Sequence, residues 1–166
     1  FSVSGTSNLG ANVTTTGTQT YAGAVTLSAN VALATSNDQF AFQSTVNSDG
    51  STRNLTLNAG SATIAVSNAI GGGAALGTLT ITQSGGTTFS GTVNAGIVTL
   101  TDTTGSVTFA GSTTLTTLNT TSEDYNVIFN GSSNTITEDT DFQNTGTLTF
   151  GNACLLYTSP SPRDEV

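Results

Sequence analysis

An aromatic or apolar side chain recurs through this chain at a nearly constant interval of about 20–24 residues. The intervals on either side of Val66 are the longest. Two residues after each of these positions stands a small or turn-forming residue, and two residues before most of them stands a second apolar side chain. A unit of this length is typical of repeat proteins whose units stack on one another. The recurring residues, called the marker residues below, are Tyr21, Phe42, Val66, Phe89, Phe109, Phe129 and Phe150.

Short stretches of alternating polarity surround the markers. Ten triplets place two apolar residues on either side of a third residue, among them Val25-Thr-Leu27, Leu79-Thr-Ile81 and Val98-Thr-Leu100. Alternation with a period of two indicates β-strands with one buried face. Clusters of Gly, Asn, Ser and Asp separate the triplets and favour turns. The two longest intervals suggest Gly-rich insertions at Gly71–Gly73 and Ser84–Gly86.

These two periods together predict an all-β parallel β-helix, or solenoid, of about seven coils with about 20–24 residues in each coil. Each coil would lie ~4.8 Å above the previous one. The marker residues would then form one internal ladder, and the Thr in the middle of most triplets would point outward. An antiparallel β-sandwich is the alternative, although it does not require a marker at such a regular interval.

Composition limits the chemistry that the chain can perform. Thr, Ser, Gly and Asn account for 89 of 166 residues, and there is no His, Met or Trp, one Cys, and only two basic residues, Arg53 and Arg163. The net charge of −8 disfavours binding to nucleic acid or to anionic membrane surfaces. No apolar run approaches the ~20 residues of a spanning helix. We therefore expect no enzyme activity, no cofactor, no nucleic-acid partner and no membrane insertion by this segment.

The last residues differ in composition from the rest. Residues 154–164 contain the single Cys, both Pro and Arg163. Permissible codons for this stretch resemble a sequencing adapter read in frame. We therefore expect residues 154–166 to be a non-native, disordered tail and exclude them from fold reasoning. Residues 1–153 are expected to be a solenoid fragment of a longer protein, truncated at both ends.

Acidic residues form two clusters that are open to three interpretations. The simpler interpretation is that they are solvated turns, and Arg53, beside the Asp49-Gly50 turn, is likewise expected to be solvated. The alternatives are a weak Ca²⁺ site built from carboxylates and turn carbonyls, or the carboxylate pair of a polysaccharide-active enzyme. The calcium candidates are Glu123, Asp124, Glu138, Asp139 and Asp141.

Several phrases resemble the β-strand repeats of large bacterial surface proteins, namely the passenger regions of autotransporters and filamentous-haemagglutinin-type exoproteins. The phrases are Thr16-Gly-Thr-Gln-Thr-Tyr-Ala-Gly-Ala-Val-Thr-Leu27, Val107-Thr-Phe-Ala-Gly111 and Val127-Ile-Phe-Asn-Gly131. The resemblance covers nearly all of residues 10–153. It implies a right-handed parallel β-helix that projects an adhesive or matrix-forming tip from the cell.

These observations predict a structural or adhesive segment of a secreted or cell-surface bacterial protein, acting as a stalk or as a binding surface. Its expected location is extracellular, held at the outer membrane by parts of the parent protein outside this segment. Expected partners are glycans or extracellular proteins. Two alternatives stay open: a fragment of a polysaccharide-active β-helix enzyme, and a self-associating matrix component that pairs through open solenoid ends.

Overall fold

The strands of this chain stack in three columns. A computed structural model describes residues 1–151 and the backbone of residues 156–157. Within these residues there are short β-strands and no helix. The first sheet contains eight strands: β1 (Ser2–Val3), β4 (Gln19–Tyr21), β7 (Phe40–Phe42), β10 (Ile64–Val66), β12 (Thr87–Phe89), β14 (Ser106–Phe109), β16 (Asn126–Phe129) and β18 (Leu148–Phe150).

The other two columns follow the first along the chain. The second sheet contains β2 (Ser7–Leu9), β5 (Val25–Leu27) and β8 (Val46–Ser48). The third sheet contains eight strands: β3 (Val13–Thr15), β6 (Val31–Thr35), β9 (Leu55–Asn58), β11 (Leu76–Ser84), β13 (Val93–Thr103), β15 (Thr113–Asn119), β17 (Asn134–Ile136) and β19 (Leu156–Tyr157). Parallel bridges from Val46 to Ile70 and from Ile70 to Val93 connect the second column to the start of β13.

Every pairing between the described strands is parallel, and strands pair with their equivalents in the coils before and after them. The chain is therefore a β-solenoid of about seven turns, which confirms the predicted fold. An antiparallel sandwich is excluded, because its neighbouring strands would run in opposite directions.

The marker residues occupy one column of the first sheet. Each pairs with the next through the sheet register, from Tyr21 to Phe42 and onward to Phe150. Stacked rings lie 5.1 Å apart between Phe89 and Phe109 and 5.0 Å apart between Phe109 and Phe129. Offset stacking of this kind adds about 0.5–1.5 kcal/mol per pair beyond the burial of apolar area.

Two polar residues occupy inward positions beside this column. Gln19 is fully buried, and its side-chain amide donates hydrogen bonds to the carbonyls of Val13 and Ala34 at 3.2 and 2.9 Å. The Tyr21 hydroxyl donates to Gln19 Oε1 at 2.9 Å. Because a buried polar group without a partner is costly, these bonds allow an amide to sit where other coils place an apolar side chain.

Thr87 is the second such residue, and it belongs to a buried hydroxyl cluster. Ser84 Oγ lies 3.1 Å from Thr87 Oγ1 and 3.1 Å from Thr103 Oγ1. All three side chains are at most 1% exposed. The cluster links two successive coils inside the core, because Ser84 pairs with Thr103 in the sheet register.

The extra residues of the two longest coils lie in equivalent loops, because Val46 bridges Ile70 and Leu55 pairs with Leu79. The coil from Phe42 to Val66 contains its insertion between β8 and β9, at residues 49–54. The next coil contains its insertion between Ile70 and β11, at Gly71–Gly73, as the sequence suggests. The expected insertion at Ser84–Gly86 is wrong, because the turn from Ser84 to Thr87 is shorter than the equivalent turn from Thr103 to Val107 one coil later.

Residues near the end of the chain are described only in part. Leu156 and Tyr157 form β19, which pairs in parallel with Asn134 and Thr135 of β17. The other residues of the predicted tail, 154–155 and 158–166, lie outside the described residues, and so does Asn152, the turn residue expected after Phe150.

Candidate functional surface on the third sheet

The outward side of the third sheet presents regularly spaced threonines. In β11, Leu79 and Ile81 are fully buried, while Thr78, Thr80 and Thr82 lie on the opposite side and are partly exposed. This arrangement follows from the alternation of side chains along a strand. The buried residues hold the strand against the core, so the hydroxyls are fixed to a rigid support.

Successive coils place equivalent residues above one another. Thr56 pairs with Thr80, Thr80 with Thr99, and Thr99 with Asn119. A second column runs from Thr78 through Ile97 to Thr117. Thr82 and Thr101 follow the paired residues Ile81 and Leu100 and begin a third column. The threonine face is defined here as Thr56, Thr78, Thr80, Thr82, Ile97, Thr99, Thr101, Thr117 and Asn119.

The backbone sets the spacing of these side chains in two directions. Neighbouring columns are separated by two residues along a strand, which is about 6.6 Å at ~3.3 Å per residue. Neighbouring coils are ~4.8 Å apart along the solenoid axis. The threonine face is therefore a two-dimensional array with a repeat in each direction.

Most hydroxyls on this face have no partner in the described part of the chain. This holds for Thr56, Thr78, Thr80, Thr82, Thr101 and Thr117, while Thr99 Oγ1 accepts a hydrogen bond from Asn119 Nδ2 at 3.4 Å. Thr35 and Thr120 differ, because their hydroxyls donate to backbone carbonyls of their own coil or the next. A hydroxyl can donate one hydrogen bond and accept two, so the face keeps its capacity for an external ligand.

Formal charge is absent from the nine positions of the threonine face. The nearest acid along the strand is Asp102, whose Oδ2 accepts a hydrogen bond from Gln83 Nε2 at 3.0 Å. Ile97 is the most apolar member of the face and is 36% exposed. The face therefore offers hydroxyls and methyl groups, and no ionic contact.

The acidic residues singled out from the sequence lie on exposed turns. Glu123 and Asp124 follow β15, and Glu138, Asp139 and Asp141 follow β17. All five are exposed. Among the residues that the structure describes, no three or more acidic, His or Cys side chains come together in a group able to hold a metal ion. The structure thus does not assemble the predicted calcium candidates into one site.

Arg53 forms an ion pair, and the expectation that it is simply solvated is wrong. Its Nε donates to Asp49 Oδ1 at 2.9 Å, and its Nη2 donates to Asp49 Oδ2 at 2.7 Å. The backbone amide of Ser51 donates to the same carboxylate at 3.1 Å. These hydrogen bonds, with that of Arg53 the largest cause, lower the pKa of Asp49 to about 2. The pair closes the loop between β8 and β9.

The chain matches no protein-family model, no curated protein and no solved structure. The described residues also contain no helix that is long and apolar enough to cross a membrane.

Sequence reasoning found the outward direction of the threonines but not the face they form. Thr56, Thr80 and Thr99 are the middle residues of three predicted triplets, and the structure places each of them outward. The array also contains Thr78, Thr82 and other residues outside the triplets. The available signal was the Thr-x-Thr-x-Thr sequence at residues 78–82 and the Thr-x-Thr sequence at 99–101.

Proposed function

We propose that this chain is a non-enzymatic structural segment of a secreted or cell-surface bacterial protein, in which it acts as a stalk. The observation that supports this proposal is the uninterrupted core. Ladders of buried side chains run along the axis through successive coils, as in the column from Tyr21 to Phe129. Such a core can be lengthened by adding coils without changing its cross-section.

Stability in this architecture comes from contacts between neighbouring coils. One coil buries few apolar residues of its own, so it is stabilised by stacking on the next coil. Phe109, for example, contacts the rings of both Phe89 and Phe129. Stabilisation by neighbouring coils suits a spacer, because each added coil forms the same two interfaces as the coils already present.

The outer surface is suited to exposure to solvent over a long length. It is rich in Thr, Ser and Asn, and the chain carries only 12 charged residues. The resemblance of its repeats to bacterial exoproteins supports a surface location, where such a stalk would carry an adhesive region away from the cell.

Stretching single molecules by their two ends tests the stalk role. Because each coil is held by its neighbours, we expect force peaks separated by the length of one coil, roughly 70 Å for about 20 residues at ~3.5 Å per residue. A Phe109→Ala variant should lower the peaks of the coils around residue 109, with Thr108→Ala as the matched control. Extension of the folded chain without any force peak would contradict the proposal.

Surface display requires a separate test. An antibody raised against the purified chain is applied to intact and to permeabilised bacteria that produce the full-length protein. Labelling of intact cells is expected. Labelling that appears only after permeabilisation would show that the segment is not displayed.

A further inference from the structure

We propose that the threonine face binds ice, so that the ligand is the ordered water at the surface of an ice crystal. This inference goes beyond the stalk role and does not depend on it. It follows from three properties of the face: a two-dimensional repeat, hydroxyls most of which have no partner in the described part of the chain, and the absence of charge.

The first property is the repeat. The face places hydroxyls ~4.8 Å apart along the axis and about 6.6 Å apart along the strands. The oxygen atoms at an ice surface also lie in rows with fixed separations of a few ångströms. Thr80 and Thr99 occupy adjacent coils in one column, and Thr82 and Thr101 continue the same two rows. A freely moving small solute contacts only one or two of these positions, whereas a crystal surface has its own repeat and can contact many of them at once.

The second property is the availability and order of the hydroxyls. The side-chain hydroxyls of Thr78, Thr80 and Thr82 make no hydrogen bond in the described part of the chain, so each can bind water as donor and acceptor. Thr is stiff at its first side-chain torsion because it is branched at Cβ. Little side-chain entropy is therefore lost on binding, and a bridging water costs little to immobilise.

The support beneath the face keeps the array rigid. Leu79, Ile81, Val98 and Leu100 lie directly under it and are fully buried. β11 and β13 pair in parallel from Leu76 to Ser84. A crystal cannot adapt to its binder, so the rigidity must come from the protein, and this part of the solenoid provides it.

The third property is the absence of charge, which suits a neutral ligand. The chain has a net charge of −8, yet none of that charge falls on the nine residues of the face. Its apolar groups are the threonine methyls and Ile97. The face offers no charged group to an ion or a charged polymer. Ordered water, in contrast, can lie over the methyl groups and hydrogen-bond to the hydroxyls. A crystalline polysaccharide is the other flat, neutral ligand, and the experiment below separates the two.

The test uses the purified chain and three variants. Thr99→Tyr and Thr101→Tyr each place a ring in the middle of the face and interrupt its array of hydroxyls. Thr108→Tyr is the matched control, because Thr108 points outward from the first sheet between Thr88 and Ile128. Each protein is labelled with a fluorophore, and its adsorption to a growing ice crystal and its inhibition of ice recrystallisation are measured. Circular dichroism and the urea unfolding midpoint verify that each variant is folded.

We expect the wild-type chain and Thr108→Tyr to adsorb to ice and to inhibit recrystallisation to the same degree. Both variants of the threonine face are expected to lose most of this activity, and Thr101 is exposed, so its substitution should leave the fold intact. A folded wild-type chain that does not adsorb to ice would overturn the proposal. Equal losses in Thr108→Tyr, or binding to insoluble cellulose or chitin without adsorption to ice, would also overturn it.

Discussion

The ring of Phe109 lies 5.0 Å from the ring of Phe129, its equivalent in the next coil, and the two planes differ by only 9°. The two residues pair directly in the register of the first sheet. One coil therefore supplies both the backbone hydrogen bonds and the aromatic contact that hold the next coil. Sequence period, sheet register and core packing coincide at this pair.

Removal of the Phe109 ring should test how much the column contributes. Phe109→Ala leaves a cavity between Phe89 and Phe129, and we expect it to lower the free energy of unfolding by about 3–5 kcal/mol. Urea titration followed by circular dichroism measures this change. Thr108→Ala removes an outward side chain from the same strand and should change the free energy by less than about 0.5 kcal/mol. Similar losses in both variants would contradict the role of the column.

The glycine two residues after Phe109 is so close to the preceding coil that it excludes a side chain. A Cβ atom added at Gly111 would lie 2.3 Å from the carbonyl oxygen of Gly91. Because this neighbour is backbone, Gly111→Ala must displace one coil from another, and we expect a loss of about 1–3 kcal/mol in unfolding free energy.

Gly17 provides the matched control for that substitution. A Cβ added at Gly17 has no atom of the described residues within 4 Å. Gly17→Ala should leave the unfolding free energy unchanged or raise it by up to about 1 kcal/mol, because Ala reduces the freedom of the unfolded chain. Differential scanning calorimetry distinguishes the two variants. Equal melting temperatures for both would show that the contact at Gly111 is not restrictive.

The aromatic column could be predicted because marker residues one repeat apart in the sequence pair with each other in the first sheet. The threonine face could not, because the period is not constant around the coil. Thr80 pairs with both Thr56 and Thr99, although Thr56 is farther from it in the sequence than Thr99 is. The insertion at Gly71–Gly73 precedes β11 and shifts these intervals, so the marker period does not place the threonines above one another.

Two other features could not be predicted from the sequence, for different physical reasons. Gln19 interrupts the apolar pattern in the sequence, and only the folded chain shows the carbonyls that satisfy its amide. The ion pair between Asp49 and Arg53 depends on the conformation of a loop, which residue spacing alone does not determine. Local pattern thus predicted the strands, while partners formed between coils or within loops required the structure.

The Asp49–Arg53 pair should make part of the stability dependent on pH. The pKa of Asp49 is about 2 in the folded chain and 3.8 without the partners. A lowered pKa means that the carboxylate stabilises the fold above pH 3.8 and that this contribution disappears as the pH falls through about 2.

Arg53→Gln tests this dependence. We expect the urea midpoint of the variant to lie below that of the wild type at pH 7, and the gap to narrow as the pH falls from 3.8 to 2. The effect should be small, because exposed ion pairs contribute little, and added salt should reduce it further. A gap that stays constant down to pH 2 would count against the ion pair as its source.

Tyr21 should produce a loss of stability at alkaline pH. Burial raises the pKa of its hydroxyl from 10.0 to about 12, because the charged phenolate is disfavoured in the core. The folded chain therefore holds this proton more tightly than the unfolded chain. The resulting stabilisation is complete below pH 10 and is lost as the pH rises through about 12.

Tyr21→Phe should separate this effect from general alkaline unfolding. At pH 7 the variant lacks the hydrogen bond to Gln19 Oε1 and should be less stable by about 1 kcal/mol. Above pH 10 the wild type loses stability through Tyr21 and the variant does not, so the gap should close. Tyr125→Phe, the matched control, retains Tyr21 and should keep the alkaline loss. Urea midpoints between pH 7 and pH 12, with tyrosinate absorbance read in parallel, measure the gap, and a gap that widens with pH would refute the assignment to Tyr21.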